Sequence, residues 1–252
     1  MTPSQPAGEG GLRSDQDAYG HAMLDFLRGK GGQEIVEYDD GFIFSTGGPS
    51  FYFDEFPKWS AAERAAMRSV VGRVLDVGCG AGRVAIRLQE RGHEVLGIDN
   101  SPLAVRVARR RGLKQAKLLS ISEIDGRLGT FDTIVMMCNN FGLVGSRAGA
   151  KRLLTRFHRI TSDRGRILAA STDPRHGRSP HHAYYRRNRD RGRLPGQIRG
   201  RIRYRSYATP WADFLLVSRA EMRSLVRDTG WRVRRFVDVP GEPLYVAILE
   251  KD

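Results

Sequence analysis

Cysteine is almost missing from the chain: Cys79 and Cys138 are the only two among 252 residues. Two thiols cannot by themselves close a four-ligand structural zinc site. They build no disulfide framework, and free thiols in a reducing compartment are expected. No stretch approaches the roughly 18 consecutive apolar residues that read as a membrane span. The N-terminus lacks the basic-then-apolar pattern of a secretory signal, so a cytoplasmic protein is expected. No cluster of carboxylates accompanies the six histidines. A metal ion would lack its usual oxygen ligands, and no metal site is expected. Lysine is scarce too, at six of the 42 basic residues.

Arginine is abundant. Against 28 acidic residues the basic ones leave a net charge of +14. Such a balance favours an anionic partner, whether nucleic acid, phosphate or an acidic peptide. An arginine bias of this kind is also what a GC-rich genome produces. Hydrophobic residues make up 40% of the chain, enough for a buried core, and the length fits one domain with an insertion.

Residues 73–83 organise the rest. The run from Val74 to Val77 reads as a buried strand, Gly78, Gly80 and Gly82 as a tight turn, and Val84 onwards as a helix. Glycine admits positive φ and lets a ligand approach closely. The helix N-terminus that follows offers unpaired N–H groups. A dinucleotide fingerprint would need a glycine where Arg83 stands. The spacing is instead Asp-x-Gly-x-Gly-x-Gly, from Asp76 to Gly82. About twenty residues on, Val95-Leu96-Gly97-Ile98-Asp99 is a second apolar strand, ending in a carboxylate that can accept both hydroxyls of a ribose. Ser101-Pro102 then opens the next helix, with proline at a first turn where its missing N–H costs nothing.

Residues 74–83 with 95–102 resemble motifs one and two of the class I S-adenosylmethionine (SAM) dependent methyltransferases, and the resemblance extends over about residues 70–172 and 218–250. It implies an α/β fold with a Rossmann-like seven-stranded sheet and an antiparallel last strand. It implies SAM as cofactor and S-adenosylhomocysteine as product. Cofactor contacts are then expected from Asp76, Gly78, Cys79, Gly80 and Arg83, and from Asp99 and Asn100 after the second strand. Ser120 and Ile121 follow the third strand and Cys138 the fourth. Ser120 stands where the family usually has an Asp for the adenine amine, while Ile121 remains to pack on the base.

In chain order, residues 1–17 read as a disordered tail. Residues 18–72 form an N-terminal cap: a helix at 18–28, a hairpin of 34–38 and 42–44 across Asp39-Asp40-Gly41, and a helix at 61–70. Between them lies an aromatic cluster of Phe51, Tyr52, Phe53, Phe56 and Trp59. The resemblance makes Tyr52 a lid residue over the cofactor; packing of an N-terminal helix is the alternative. Strands at 74–77, 94–98, 116–119, 131–137 and 166–171 alternate with helices at 83–91, 102–111 and 149–160, the pattern of a doubly wound sheet. Ser218 with Glu221 forms a capping box for a helix at 218–229. Strands at 231–239 and 244–250 complete the sheet, so the SAM-binding domain is expected at 73–172 and 218–252.

Residues 173–217 fall outside that pattern and are expected to form a substrate-specificity insertion, a helix and β-hairpin capping the acceptor pocket after strand five. Up to Arg205 they hold eleven arginines against Asp173 and Asp190. A helix is expected near 180–191. Residues 196–207 alternate Ile198, Ile202 and Tyr204 with arginines 199, 201, 203 and 205, a strand with one charged face, and 211–217 is its partner. The arginines suit a carboxylate or phosphate, or they guard an edge strand against pairing. His181 and His182 are adjacent and point about 100° apart on a helix, which suits chelation poorly. One of them, with Tyr184 or Tyr185, is expected at the acceptor. Asn139-Asn140-Phe141-Gly142 resembles, without its prolines, the Asn/Asp-Pro-Pro-aromatic loop of amino-group methyltransferases.

The candidate catalytic residues are therefore Asn140, His181 and Tyr184, with Asn139, Phe141, His182, Arg205 and Trp211 as acceptor contacts. The expected function is methyl transfer by in-line displacement to a small-molecule or peptide acceptor in secondary metabolism, nitrogen being favoured over oxygen. The alternatives are an RNA or other nucleic-acid methyltransferase that uses the arginines, and a SAM-binding protein without catalysis.

Overall fold

The computed structural model describes residues 11–176 and 181–252. In chain order its elements are α1 (Ala18–Leu27), β1 (Ile35–Tyr38), β2 (Ile43–Ser45), α2 (Ala61–Ala66), β3 (Val74–Val77), α3 (Arg83–Glu90), β4 (Val95–Asp99), α4 (Pro102–Arg110), β5 (Gln115–Leu118), β6 (Phe131–Met136), α5 (Arg147–Arg159), β7 (Thr161–Thr172), α6 (His182–Asp190), β8 (Gln197–Tyr204), β9 (Tyr207–Ala208), β10 (Ala212–Leu215), α7 (Arg219–Val226), β11 (Trp231–Asp238) and β12 (Leu244–Lys251). No described helix is long and apolar enough to cross a membrane.

Seven strands form one sheet in the order β11-β12-β7-β6-β3-β4-β5. The pairs β3–β6, β6–β7 and β4–β5 are parallel, while β12 runs antiparallel to β7 and β11 to β12. This is the expected Rossmann-like sheet with its antiparallel end. Every residue of β3 is buried, as a central parallel strand requires, and this is why it reads as a continuous apolar run broken only by Asp76.

A second sheet has the order β10-β8-β1-β2, with β9 on β8. The charged strand is therefore not an edge: β8 lies between β10 and β1. Its arginines answer to carboxylates instead. Arg201 and Arg203 both reach Glu37 of β1, at 2.8 and 3.5 Å. Arg199 pairs with Asp213 of β10 at 3.5 Å, and Arg205 with Asp25 at 3.2 Å. Glu37 stands directly opposite Arg201 in the ladder, the geometry in which opposite charges help a pairing.

The chain divides into two compact units. The first takes in residues up to Glu55, Gly78–Glu123 and Gly200–Trp211; the second takes in Phe56–Val77, Ile124–Arg199 and Ala212–Asp252. In the first unit, α1 is fastened to α4 through Asp17. This buried carboxylate accepts from Gly20 N in the first turn of α1 at 3.0 Å, from Leu103 N in the first turn of α4 at 3.1 Å, and from the Ser101 hydroxyl at 2.6 Å. Residues 11–17 are thus no loose tail: Leu12 N donates to Asn100 O at 2.9 Å and Ser14–Gln16 form a 3-10 turn. The first ten residues of the expected tail lie outside the described residues.

In the second unit β7 begins at Thr161 rather than 166. Phe131 pairs with Thr161, and the register then shifts before Thr133. Asp132 holds this irregular start, accepting from Arg73 N at 2.9 Å and from the Ser162 hydroxyl at 2.8 Å. The capping box forms at Ser218: Ser218 N donates to Glu221 Oε2 at 2.8 Å and Glu221 N to Ser218 Oγ at 3.3 Å. The helix expected near 180–191 is α6; residue 180 itself lies outside the described residues.

Candidate functional site

The glycine turn is built by backbone alone. Gly78, Gly80 and Gly82 have φ of 74°, 53° and 82°, a region where a side chain is strained. Gly78 N and Cys79 N both donate to Ile98 O, at 2.9 and 3.0 Å. Gly82, which has no side chain to cap with, then starts α3 in left-handed backbone.

Asp99 joins the two motifs. One carboxylate oxygen accepts from Gly80 N and the other from Ser101 N, both at 2.9 Å. A carboxylate offers about four lone-pair sites, so acceptor capacity remains for a pair of hydroxyls. Burial holds the Asp99 carboxyl above its ordinary value of 3.8; the N–H groups of Ser101, Gly80 and Asn100 pull it back, and the charge of Asp17 pushes it up. Asn100 is exposed beside it. Cys79 is buried and forms no disulfide, and its sulfur would lie 3.0 Å from any Cβ placed on Gly97.

At the end of β5, Ser120 N donates to Glu123 Oε2 at 2.9 Å, and the Ser120 hydroxyl shares a proton with that of Ser122 at 2.9 Å. Ile121 is half-buried and begins a 3-10 turn. The sequence carried a signal for Glu123, since Ser120-Ile121-Ser122-Glu123 has the Ser-x-x-Glu spacing of a capping box.

Tyr52 lies in the 3-10 turn Pro49–Phe53, which two arginines hold within this unit. Arg111 donates to Ala81 O of the glycine turn at 2.7 Å and to Tyr52 O at 3.3 Å, and its guanidinium lies 4.7 Å over the Phe53 ring. The buried Arg83 stacks 4.7 Å over Phe51. From α1, Tyr19 meets Tyr52 edge-on, with 5.9 Å between ring centroids. Met23 and Leu24 pack with Ala81, Ala104 and Val107 beneath them. Tyr52 therefore joins the glycine turn and Asp99 in one hydrogen-bonded and packed group. Arg205 is held elsewhere in the unit: its backbone has φ 53°, and it reaches Asp25 and Gly31 O. Trp211 is partly exposed, with Arg201 at 4.7 Å over its ring.

In the second unit, Asp76 is buried within β3. After β6 the chain turns through two consecutive non-glycine residues in the left-handed region, Cys138 at φ 55° and Asn139 at φ 65°. Such backbone is costly, and it tends to occur where a site needs it. Three contacts hold the turn. Cys138 N donates to Glu63 Oε1 at 3.2 Å, Asn139 Oδ1 accepts from the Thr172 hydroxyl at 2.9 Å, and Asn140 Nδ2 donates to Val77 O at 2.9 Å. Phe141, expected to contact an acceptor, is fully buried: the 3-10 turn Asn140–Val144 rolls its ring into the core. Tyr184 is buried too, and its hydroxyl accepts from Arg199 N at 3.0 Å. His181 is the N-cap of α6 and sits 5.9 Å from Tyr185. His182 and Tyr185, with Arg175 and Arg189, line a cavity of about 200 Å³.

Residues 74–165 match the methyltransferase-domain family. A SAM-dependent methyltransferase from Bacteroides fragilis, crystallised with S-adenosylhomocysteine, is similar in structure: TM-score 0.81 and 27% identity, over 95% of this chain and 97% of that one. A ubiquinone biosynthesis O-methyltransferase of Methylocella silvestris is 37% identical over 81 residues, 30% of this chain and 32% of that protein. A glycine/sarcosine N-methyltransferase of Parasynechococcus marenigrum is 29% identical over 101 residues, 38% and 36% of the two. The chain spans less than half the length of the first curated relatives it matches.

Proposed function

Because residues 74–165 form a class I SAM-dependent methyltransferase domain, we propose that this chain transfers a methyl group from SAM to a small-molecule acceptor, with nitrogen favoured over oxygen. One observation carries the reading. Asp99 and the glycine turn are a single hydrogen-bonded construction, with the carboxylate oxygens 2.9 Å from Gly80 N and Ser101 N and capacity left for two hydroxyls. These residues fit a nucleoside with a ribose diol. Gly78, Cys79 and Gly80 present backbone to its amino-acid end, Asp99 and Asn100 take the ribose, and Ser120 and Ile121 take the base. Tyr52 closes over it, with Arg83 as a further contact. Bound SAM supplies a methyl carbon already made electrophilic by a sulfonium.

The protein's part is to orient the acceptor and exclude water, and positioning of this kind supplies much of a rate enhancement. Asn139 and Asn140 are the residues we assign to the acceptor, because Asn139 is held in left-handed backbone and Asn140 follows it directly, tied to Val77 O. His181 and His182 remain candidates on the same argument as in the sequence. Tyr184 and Phe141 are weaker ones, since the fold already uses the hydroxyl of one and buries the ring of the other. A nitrogen acceptor needs only to lose its proton, whereas a hydroxyl needs a base within reach.

Calorimetric titration with S-adenosylhomocysteine tests the reading. Binding by the wild type and its loss in Asp99→Ala are expected; a wild type that takes up none would overturn it.

A further inference from the structure

Glu34 has no part in the assignments above. It directly precedes β1, is 0% exposed, and no cationic side chain among the described residues pairs with its carboxylate. An isolated carboxylate is among the costliest groups to bury, and such groups are normally paired. The Tyr52 hydroxyl acts on it as a hydrogen-bonding neighbour, and Tyr19 lies close enough to feel its charge. Tyr19 is pushed up to about 12, by burial first and then by the charge of Glu34; Tyr52 is raised well above 10 by burial first, with Tyr19 and Glu34 adding. Both rings are therefore neutral at physiological pH, and they stand at 88° to each other. The charge of Asp99 also acts on Tyr19, so the cluster stands beside the carboxylate assigned to the ribose.

A buried carboxylate that no cation neutralises suits a positive charge: it accepts charged N–H donors, and aromatic rings nearby add attraction for a cation. We infer that Glu34, with Tyr19 and Tyr52, binds the ammonium group of a ligand. The inference rests on the methyl-transfer reading, which names two bearers of such a group: an amine acceptor, and the amino-acid end of the methyl donor. It accounts for a buried carboxylate that the fold leaves without a neutralising cation.

The test is Glu34→Gln, which keeps the shape and removes the charge. The variant is expected to unfold at the wild-type temperature or above it, because a buried charge that no cation neutralises has gone. Three titrations read the site: S-adenosylhomocysteine; methylthioadenosine, which has the same nucleoside but no amino-acid end; and propylamine added to the S-adenosylhomocysteine complex. At least a roughly tenfold loss is expected in one of them. Weakened S-adenosylhomocysteine with unchanged methylthioadenosine assigns the site to the donor. Lost propylamine binding with unchanged S-adenosylhomocysteine assigns it to the acceptor. Unchanged binding in all three overturns the inference and leaves the methyl-transfer reading standing. Loss of all three with a lowered unfolding temperature also overturns it, as a packing role. A wild type that binds neither nucleoside overturns the methyl-transfer reading, and the inference with it.

Discussion

Asp99 makes opposite demands on pH for binding and for folding. To accept hydroxyls it must be ionised, and burial raises its pKa above the ordinary 3.8. Affinity for S-adenosylhomocysteine is expected to fall on acidification, from a higher pH than an exposed carboxylate would give, and Asp99→Asn should show weak binding without that dependence. For folding the sign reverses: a raised pKa favours the folded state below the unfolded value, and that contribution is lost as pH rises through the folded one. Gly20 behaves unlike most helix glycines. Alanine there would ordinarily gain up to about 1 kcal/mol, but its Cβ would lie 2.4 Å from both Asp17 Oδ1 and Ser101 Oγ. Gly20→Ala is expected to destabilise by about 1–3 kcal/mol in urea unfolding. At Asn140, whose amide ties to Val77 O, alanine is expected to reduce turnover far more than affinity for S-adenosylhomocysteine; equal losses would remove it from the acceptor site. Asp99 and the glycine turn were legible in the sequence because their chemistry is local and spaced. Arg111 and Glu34 were not, because their neighbours Ala81, Tyr52 and Tyr19 lie far from them in the chain. The burial of Phe141 was not legible, because its place beside two asparagines looks like a loop and only tertiary packing decides that it turns inward.

Helices and strands in this fold are often secured by one side chain serving two of them. Asp17 caps α1 and reaches the first turn of α4 at once. A lost cap costs about 1 kcal/mol and buried hydrogen bonds to a charge about 1.5–3 kcal/mol each, so Asp17→Ala is expected to lower stability by about 2–4 kcal/mol. A denaturation midpoint within error of wild type would contradict the double cap. Asp132 does the same for strands. Its hydrogen bonds from Arg73 N and then the Ser162 hydroxyl hold its carboxyl below the ordinary 3.8. The stability it contributes is present above the unfolded pKa and lost as pH falls through the folded one. Wild type is expected to exceed Asp132→Ala in stability near neutrality, with the difference shrinking in acid. The parallel strands, their helices and the Ser218 box were readable because period and caps are local signals. The pairing of β1 with β8 was not, since each strand read plausibly as half of its own hairpin and nothing in either named the other.

A net charge of +14 favours a polyanion partner, but the arginines of β8 and of the turn after it are not the ones that carry the excess. Those at 199, 201, 203 and 205 all meet carboxylates. Replacing Arg199 and Arg203 by Ala is accordingly expected to leave the logarithmic salt slope of generic RNA binding unchanged; a shallower slope would mean that these arginines neutralise phosphates and would favour the nucleic-acid reading.

The second sheet also has a history in time. Glu37 and Arg201 are 164 residues apart, and a ribosome adding about 5–20 residues per second needs many seconds to supply the second after the first. Throughout that interval β1 is a strand with one unsatisfied side, and the cap that carries Tyr19, Glu34 and Tyr52 has no β8 to lean on. Loop closure over so long a span is slow as well as late. The second sheet is therefore completed after the glycine turn has been made, and the nascent chain between those two moments is the form most exposed to strand-edge aggregation.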